Sequence, residues 1–196
     1  IAFSFFLLFW AAFKLNPLST KLLPIAVFLL VFYSFTKRFT WACHIILGLT
    51  IALAPLGGWV AVTGNVDGTA MIFYFTIVFW TAGFDIIYSC QDVEFDMKEG
   101  LYSIPVRFGV ARALIIARVF HILTGVGFVS LLFITDLSWW YVAGMLIAYI
   151  ILFYEHHIVS PSDLSRLQTA FFTMNGVLSI VVFSFTLIDL VVQFYK

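Results

Sequence analysis

Charge is what this sequence has least of. Ten lysines and arginines and ten aspartates and glutamates make up 10% of 196 residues, where a soluble domain carries about a quarter. The two signs cancel to a net charge of zero, which removes any basic-surface argument for nucleic acid. No nucleic acid and no obligate protein partner are expected. Cysteine is nearly absent too. Cys43 and Cys90 both flank charged segments assigned below to the cytoplasmic side, so reduced thiols are expected rather than a disulfide. There is no internal repeat, no low-complexity tract and no polar stretch long enough for a soluble domain. The chain opens at Ile1, inside an apolar run and without a methionine, and is therefore expected to be a fragment of a longer protein.

What fills the chain is apolar. Hydrophobic residues make up 63%, aromatic residues 19%, and the mean hydropathy is +1.10, the composition of an integral membrane protein embedded in a lipid bilayer. Seven apolar stretches separate at 1–13, 19–36, 44–63, 69–89, 111–134, 138–155 and 170–193. Most approach the ~20 residues needed to cross a ~30 Å hydrocarbon core; the first is short. Alternation of the barrel type is absent, so the fold class is all-α, a polytopic transmembrane helical bundle of seven spans. Asn16-Pro17 ends the first span, because the residue before proline disfavours the α region. Ala54-Pro55-Leu56-Gly57-Gly58 falls mid-span, where it is expected to kink the helix and admit another backbone closely. Gly64, Asn65, Asp67 and Gly68 form a tight outer turn, and Trp139-Trp140-Tyr141 fits the interfacial aromatic belt. Ser160-Pro161-Ser162-Asp163 is a turn expected to cap a short helix before the last span.

Basic residues orient the bundle. One side carries Lys37, Arg38, Lys98, Arg107, Arg112 and Arg166; the other carries Lys14, Lys21 and Lys196, with none in the loops at Asp67 and Asp136. The first side is expected to be cytoplasmic.

Against this scarcity of charge, five of the ten acids (Asp85, Asp92, Glu94, Asp96 and Glu99) fall within residues 85–99. If the preceding helix continues through them at ~3.6 residues per turn, Asp85, Tyr88, Asp92, Asp96 and Glu99 share one face and Glu94 points away. Stacked carboxylates repel, and oxygen-only ligands suit a hard cation such as Mg²⁺, held by one or two carboxylates plus substrate phosphates. A solvated acidic loop that stops the helix accounts for the same run. The second polar cluster is Lys37-Arg38 with Thr40 and His44. Positive-inside topology alone explains the basic pair; facing the carboxylates, it would also meet a diphosphate from the other end. His44, His156 and His157 are read as hydrogen-bonded interfacial histidines rather than metal ligands. Most of the 24 Phe, 8 Tyr and 6 Trp face lipid or core, but some can line a passage for an isoprenoid tail. Tyr88 stands out because it shares the face of Asp85 and Asp92, and ring faces stabilise cations. Asp189, near the outer end of the last span, is assigned only a snorkelling role.

The run Asp85-x-x-Tyr88-x-x-x-Asp92-x-Glu94-x-Asp96-x-x-x-Gly100-x-x-Ser103-x-Pro105-x-Arg107-x-Gly109 resembles the second aspartate-rich motif of the UbiA-type membrane prenyltransferases. Tyr33…Lys37-Arg38-Phe39-Thr40 resembles that family's Tyr-Pro…Lys-Arg segment, with Ser34 in place of the usual proline. The order and separation of the two segments agree, so the resemblance covers essentially the whole chain. The phrases Gly-Leu-Tyr-Ser-Ile-Pro-Val-Arg-Phe-Gly and Lys-Arg-Phe-Thr-Trp-Ala-Cys-His look most like the 4-hydroxybenzoate or menaquinone-pathway branch. The resemblance implies a nine-helix fold around a central cavity, of which residues 1–196 would form a single transmembrane domain carrying helices three to nine. The N-terminal helices and the first aspartate motif would be missing, and the chain by itself inactive.

The activity so implied is transfer of a polyprenyl group from polyprenyl diphosphate to a small aromatic acid, 4-hydroxybenzoate or a dihydroxynaphthoate, in ubiquinone or menaquinone biosynthesis. By motif match Asp92 and Asp96 would be the chief Mg²⁺ ligands, with Asp85 assisting. Lys37, Arg38 and Arg107 would meet the diphosphate, and Tyr88 would face the prenyl cation. The expected location is a prokaryotic plasma (inner) membrane with the site towards the cytoplasm. A structural subunit gives no reason for a five-carboxylate stripe, and two further alternatives stand beside the enzyme reading. A transporter with a cytoplasmic-side carboxylate ion site would spread acids through the core and show an inverted repeat, whereas here the acids cluster at one end and no repeat is visible. A shortened homologue without activity is the other.

The charge count is directly testable. In a background lacking Cys43 and Cys90, Lys98→Cys and Asp67→Cys should label with an impermeant thiol reagent from opposite sides of sealed vesicles. Labelling of both from one side would show that the spans between them are miscounted.

Overall fold

The computed structural model describes residues 2–195; Ile1, where the first apolar stretch begins, and Lys196, counted above among the outer basic residues, lie outside them. The described residues are helical nearly throughout: α1 (Ala2–Leu15), α2 (Pro17–Thr36), α3 (Cys43–Ile51), α4 (Leu53–Thr63), α5 (Gly68–Ser89), α6 (Val93–Lys98), α7 (Ile104–Phe108), α8 (Val110–Ile134), α9 (Trp139–Ile158), a π-helical turn (Thr169–Met174) and α10 (Asn175–Phe194). Six stretches are long and apolar enough to cross a bilayer, with α3 and α4 counted as one interrupted span, Cys43–Thr63. The seventh expected span is α1, whose 14 residues reach about 21 Å at ~1.5 Å per residue, short of a full crossing.

The sequence signals end these helices where expected, with two corrections. Asn16 separates α1 from α2 and caps α2, its Oδ1 accepting from Ser19 N at 2.8 Å. Its Nδ2 donates to the Val60 carbonyl at 2.8 Å, tying this corner to α4. Pro55 has no N–H for the carbonyl one turn before it, and the helix is interrupted at Ala52; at that break the Tyr74 hydroxyl donates to the Leu49 carbonyl at 2.9 Å. The close backbone approach expected at Gly57-Gly58 does not occur there, since both face open space. It occurs at Gly48, against the Val78 carbonyl of α5. Gly64 (φ 67°) closes α4 in the left-handed region, and Asp67 caps α5 by accepting from Ala70 N at 2.8 Å. The Ser160–Asp163 turn is closed by paired backbone hydrogen bonds, and the π-helical turn follows it.

Asp189 is the second correction. It does not snorkel: it is buried, accepts from Ser138 N at 2.8 Å, from Ser138 Oγ, and from Gln193 Nε2 at 2.9 Å. Ser138 is the residue before α9. A carboxylate on α10 thus satisfies the free backbone at the start of α9, where negative charge also suits the helix dipole.

Helix α5 is the centre of the bundle. Half of its span is buried inside the protein, against 6% for α2 and 11% for the last span, and it packs on α3 at one flank and α8 at the other. Glycines make this possible: Gly48 receives the α5 backbone, Gly127 of α8 receives Thr76, and Gly83 of α5 receives the His121 ring. Small residues at such crossings let helices approach without a hydrophobic driving force in lipid. The up-and-down order brings the α2–α3 connection and the whole 90–109 segment to the same end. A methyl at Gly48 meets immovable backbone, whereas one at Gly57 meets nothing. Gly48→Ala should therefore destabilise the detergent-solubilised protein by about 1–3 kcal/mol, while Gly57→Ala should be neutral or stabilising by up to ~1 kcal/mol. Equal melting shifts for the two would refute the α3–α5 contact.

Candidate active site

At this end of the bundle the acidic stretch does not continue α5. The helix stops at Ser89, and Cys90, Gln91 and Asp92 donate their N–H groups three residues back, to Ile87, Tyr88 and Ser89, in a tightened turn. Helix α6 then restarts the chain in a new direction. Carboxylates stacked at helical spacing repel, and residues such as Ser89 and Asp92 compete with the helix for backbone partners. The single five-residue face is thereby split. Glu99, the residue after α6, is exposed, as is Glu94, so Glu99 leaves the group.

Asp96 is 1% exposed, and Lys37 Nζ donates to both of its oxygens at 2.8 and 3.0 Å. The backbone reinforces this pair: Tyr102 N donates to the Lys37 carbonyl at 2.7 Å, and Leu101 N to the Asp96 carbonyl at 2.8 Å. Gly100, at φ 67°, supplies the left-handed residue that turns the chain between them. The two polar clusters of the sequence are therefore in direct contact.

Asp85 is held differently. His44 is fully buried, and its Nε2 accepts from Ile104 N at 3.2 Å. That bond assigns the proton to the other nitrogen, so Nδ1 donates to Asp85 Oδ2 at 2.6 Å. His44 is thus hydrogen-bonded, as read from the sequence. The signal that would have found its partner is the cap of the next helix: Ser103 accepts from Val106 N at 3.3 Å to start α7, which presents the Ile104 N–H to the histidine.

Asp92 is half-buried and, among the described residues, its carboxylate receives no hydrogen bond from the protein. Burial pushes its pKa up; Lys37 opposes this, and the Asp96 and Asp85 carboxylates add to it. A carboxylate that is free, disfavoured as an anion and flanked by two others is what a hard divalent cation relieves. In kind, as oxygen donors only, these side chains suit such an ion. Cys90, beside this turn, is a free buried thiol whose pKa burial raises to about 12, so it is no thiolate ligand.

Tyr88 lies against Phe171 of the π-helical turn, ring centroids 4.3 Å apart, with Phe172 edge-on at 5.9 Å. Neither phenylalanine was singled out from the sequence. π-Helical turns reposition side chains by one residue, and no residue pattern announced this one. Arg38, just past the end of α2, is exposed and sits over the ring of Phe35 in its last turn at 5.6 Å; Arg107 is exposed in the last turn of α7. Among the described residues neither forms an ion pair with the carboxylates. A cavity of about 770 Å³ lies further along the bundle, between Phe73, Ile77 and Trp80 of α5, Phe128 of α8 and Val182 and Phe183 of α10. It is apolar, and the Trp80 ring that borders it also packs on Phe84, next to Asp85.

Residues 1–177 match the model of the UbiA prenyltransferase family. The chain is 37% identical over 139 residues to a mitochondrial 4-hydroxybenzoate polyprenyltransferase of Arabidopsis thaliana, covering 67% of this chain and 32% of the relative. It is 29% identical over 163 residues to a 4-hydroxybenzoate octaprenyltransferase of Vesicomyosocius okutanii, covering 81% of this chain and 59% of the relative. The chain thus spans between about a third and three fifths of the length of these two relatives. Among solved structures, the apo form of a UbiA homologue from Aeropyrum pernix superimposes with a TM-score of 0.82 at 24% identity, covering 93% of this chain and 68% of that one. A digeranylgeranylglyceryl phosphate synthase gives 0.75 at 19% identity, covering 91% and 64%. The fold is that of these proteins, and with the family model matched over nearly all its length the chain belongs to the UbiA prenyltransferase family.

Proposed function

We propose that this chain carries the carboxylate side of a site that transfers a polyprenyl group from its diphosphate to an aromatic acid, in a membrane and with Mg²⁺. The observation that carries the reading is the convergence of Asp85, Asp92 and Asp96 with Lys37 at one end of the bundle, where Asp92 alone has no protein partner. The names of the relatives favour 4-hydroxybenzoate over a dihydroxynaphthoate as acceptor. The basic-residue asymmetry supports a site at the cytoplasmic face, in the plasma membrane if the chain is prokaryotic.

Mg²⁺, held by Asp92 and Asp96 with Asp85 beside them, would supply Lewis-acid neutralisation of the leaving diphosphate. The chain's own groups do the rest. Lys37, which neutralises Asp96 in the free protein, turns to the diphosphate as a point charge once Asp96 is otherwise engaged. Arg38 and Arg107, exposed on the same end, attract the diphosphate as it approaches. As the allylic C–O bond breaks and its electron pair leaves with the diphosphate, positive charge spreads over the prenyl terminus. The Tyr88 face, backed by Phe171, stabilises it by roughly 0.5–2 kcal/mol. The surrounding apolar residues exclude water that would quench the cation. The acceptor ring then forms the new C–C bond, and a base, for which the departed diphosphate is at hand, takes its ring proton. His44 keeps Asp85 oriented throughout, through a hydrogen bond that no substrate need disturb.

The test uses the complete gene product in membranes, supplied with a polyprenyl diphosphate and either 4-hydroxybenzoate or a dihydroxynaphthoate. Asp92→Asn and Asp96→Asn should each lower turnover at least ~100-fold, the order seen when a key electrostatic group is removed. Chelation should abolish wild-type turnover and Mg²⁺ restore it. Near-normal product from either variant, or turnover in excess chelator, would rule out the metal role.

A further inference from the structure

A second group of ligating side chains lies apart from these carboxylates, between α8 and α9. His121 of α8 and Glu155 and His156 of α9 bring three donor atoms within 4.8 Å of one another. His121 and Glu155 are buried, and His156 borders a cavity of about 510 Å³ that Arg118, Tyr149 and His157 also line. The motif at Asp85–Arg107 uses none of them.

Two features set this cluster apart from a satisfied pair of core histidines. The first is the orientation of His121. Its Nε2 faces the Trp80 carbonyl at 3.3 Å, which assigns the proton there and leaves a lone pair on Nδ1. Gly83 makes room for the ring, since any side chain at that position would overlap it. The bare Nδ1 points at His156 Nε2, 2.9 Å away. The second feature is Glu155. It is 0% exposed, both of its carboxylate oxygens lack a hydrogen-bond partner among the described residues, and Oε1 lies 3.9 Å from the same His121 Nδ1. The histidine pair satisfies itself and does nothing for the carboxylate. Buried carboxylates in proteins are paired or bind metal.

We propose that His121 Nδ1, Glu155 and His156 Nε2 form a binding site for a divalent transition metal of the zinc type. One cation would accept both imidazole lone pairs and the orphaned carboxylate, and offset its charge. Two imidazoles with one carboxylate select zinc-like ions over Mg²⁺ or Ca²⁺, and three protein ligands beside a cavity leave a fourth position open, to water or to His157. The distances suit the purpose. Tetrahedral bonds of ~2.0–2.1 Å set donors about 3.3 Å apart, inside the range this cluster already spans. The Trp80 carbonyl acts as the outer partner that fixes a ligating histidine's tautomer. On binding, His156 keeps its single proton by moving it from Nε2 to Nδ1, and Glu155 releases any proton it holds. The site joins α8 to α9 where they meet behind α5.

The experiment takes the full chain without an affinity tag, in detergent, stripped of metal and dialysed against buffered Zn²⁺ in large excess of Mg²⁺, with bound zinc counted by mass spectrometry. One zinc per chain is expected, and Co²⁺ in its place should show the intense visible bands of a tetrahedral site. The Asp92→Asn/Asp96→Asn double variant should retain the metal, which separates this site from the carboxylates above. Glu155→Gln and His156→Gln should weaken binding at least 100-fold while their metal-free melting stays close to that of the metal-free wild type. Should either variant fail to fold, the wild type decides: Zn²⁺ should raise its melting temperature and shield His156 from an imidazole-modifying reagent. Absence of both effects, no zinc retained, or equal retention by the wild type and folded variants would overturn the assignment.

Discussion

A buried carboxylate has to be compensated, and Asp96 is compensated by a residue 59 positions away. Removing one partner from a buried pair of this kind costs about 3–5 kcal/mol, so the Lys37–Asp96 contact dictates where the α2–α3 connection can lie. His44 follows from it. With the connection placed, its ring bridges Asp85 and the Ile104 N–H, and the Cys43 thiol donates to the Tyr102 carbonyl at 3.6 Å. Five contacts, counting the Tyr102 N–H to the Lys37 carbonyl, join residues 37–44 to residues 85–104, and together they close this end of the bundle. Asp92 is left out of the pairing, which is what gives the end of the bundle a chemical role as well as a structural one.

The opposite end is held by the same physics with the opposite result. Asp189 is as deeply buried as Asp96, but all its contacts are neutral donors from Ser138 and Gln193. Hydrogen bonds to a charged acceptor are worth roughly 1.5–3 kcal/mol, enough to pin the α8–α9 connection to α10. One buried acid therefore reads as a tie and the other as part of a site. The difference lies in the company each keeps.

Between the two ends, α5 carries the geometry. Its packing on α3 and α8 depends on glycines that admit backbone, a threonine and a histidine ring, so the helix cannot shift without a clash on one flank or the other. Asp85, near its end, is positioned by that rigidity. The turn at Cys90–Asp92 then lets the following carboxylates leave the helix axis.

The sequence by itself determined the helical class, because a chain this apolar can satisfy its backbone in lipid only by local hydrogen bonding. It located the helix breaks at Asn16-Pro17, Pro55 and Gly64, since proline and left-handed glycine act on their own neighbourhood. It also singled out Asp85, Tyr88, Asp92, Asp96 and Lys37, because acids are so rare here that their clustering stands out and the motif that holds them is contiguous. Tertiary structure decided the partnerships. Nothing near Lys37 in the chain points to Asp96, nothing near His44 points to Asp85, and Glu155 looks like any helix-end acid until His121 is brought to within 4 Å of it. The π-helical turn that sets Phe171 against Tyr88, and the use of Gly48 rather than Gly57 for close packing, were equally invisible. Spacing along a chain reports which residues share a face of one helix; which face of another helix they meet depends on packing across the whole bundle, and that is written in no single segment.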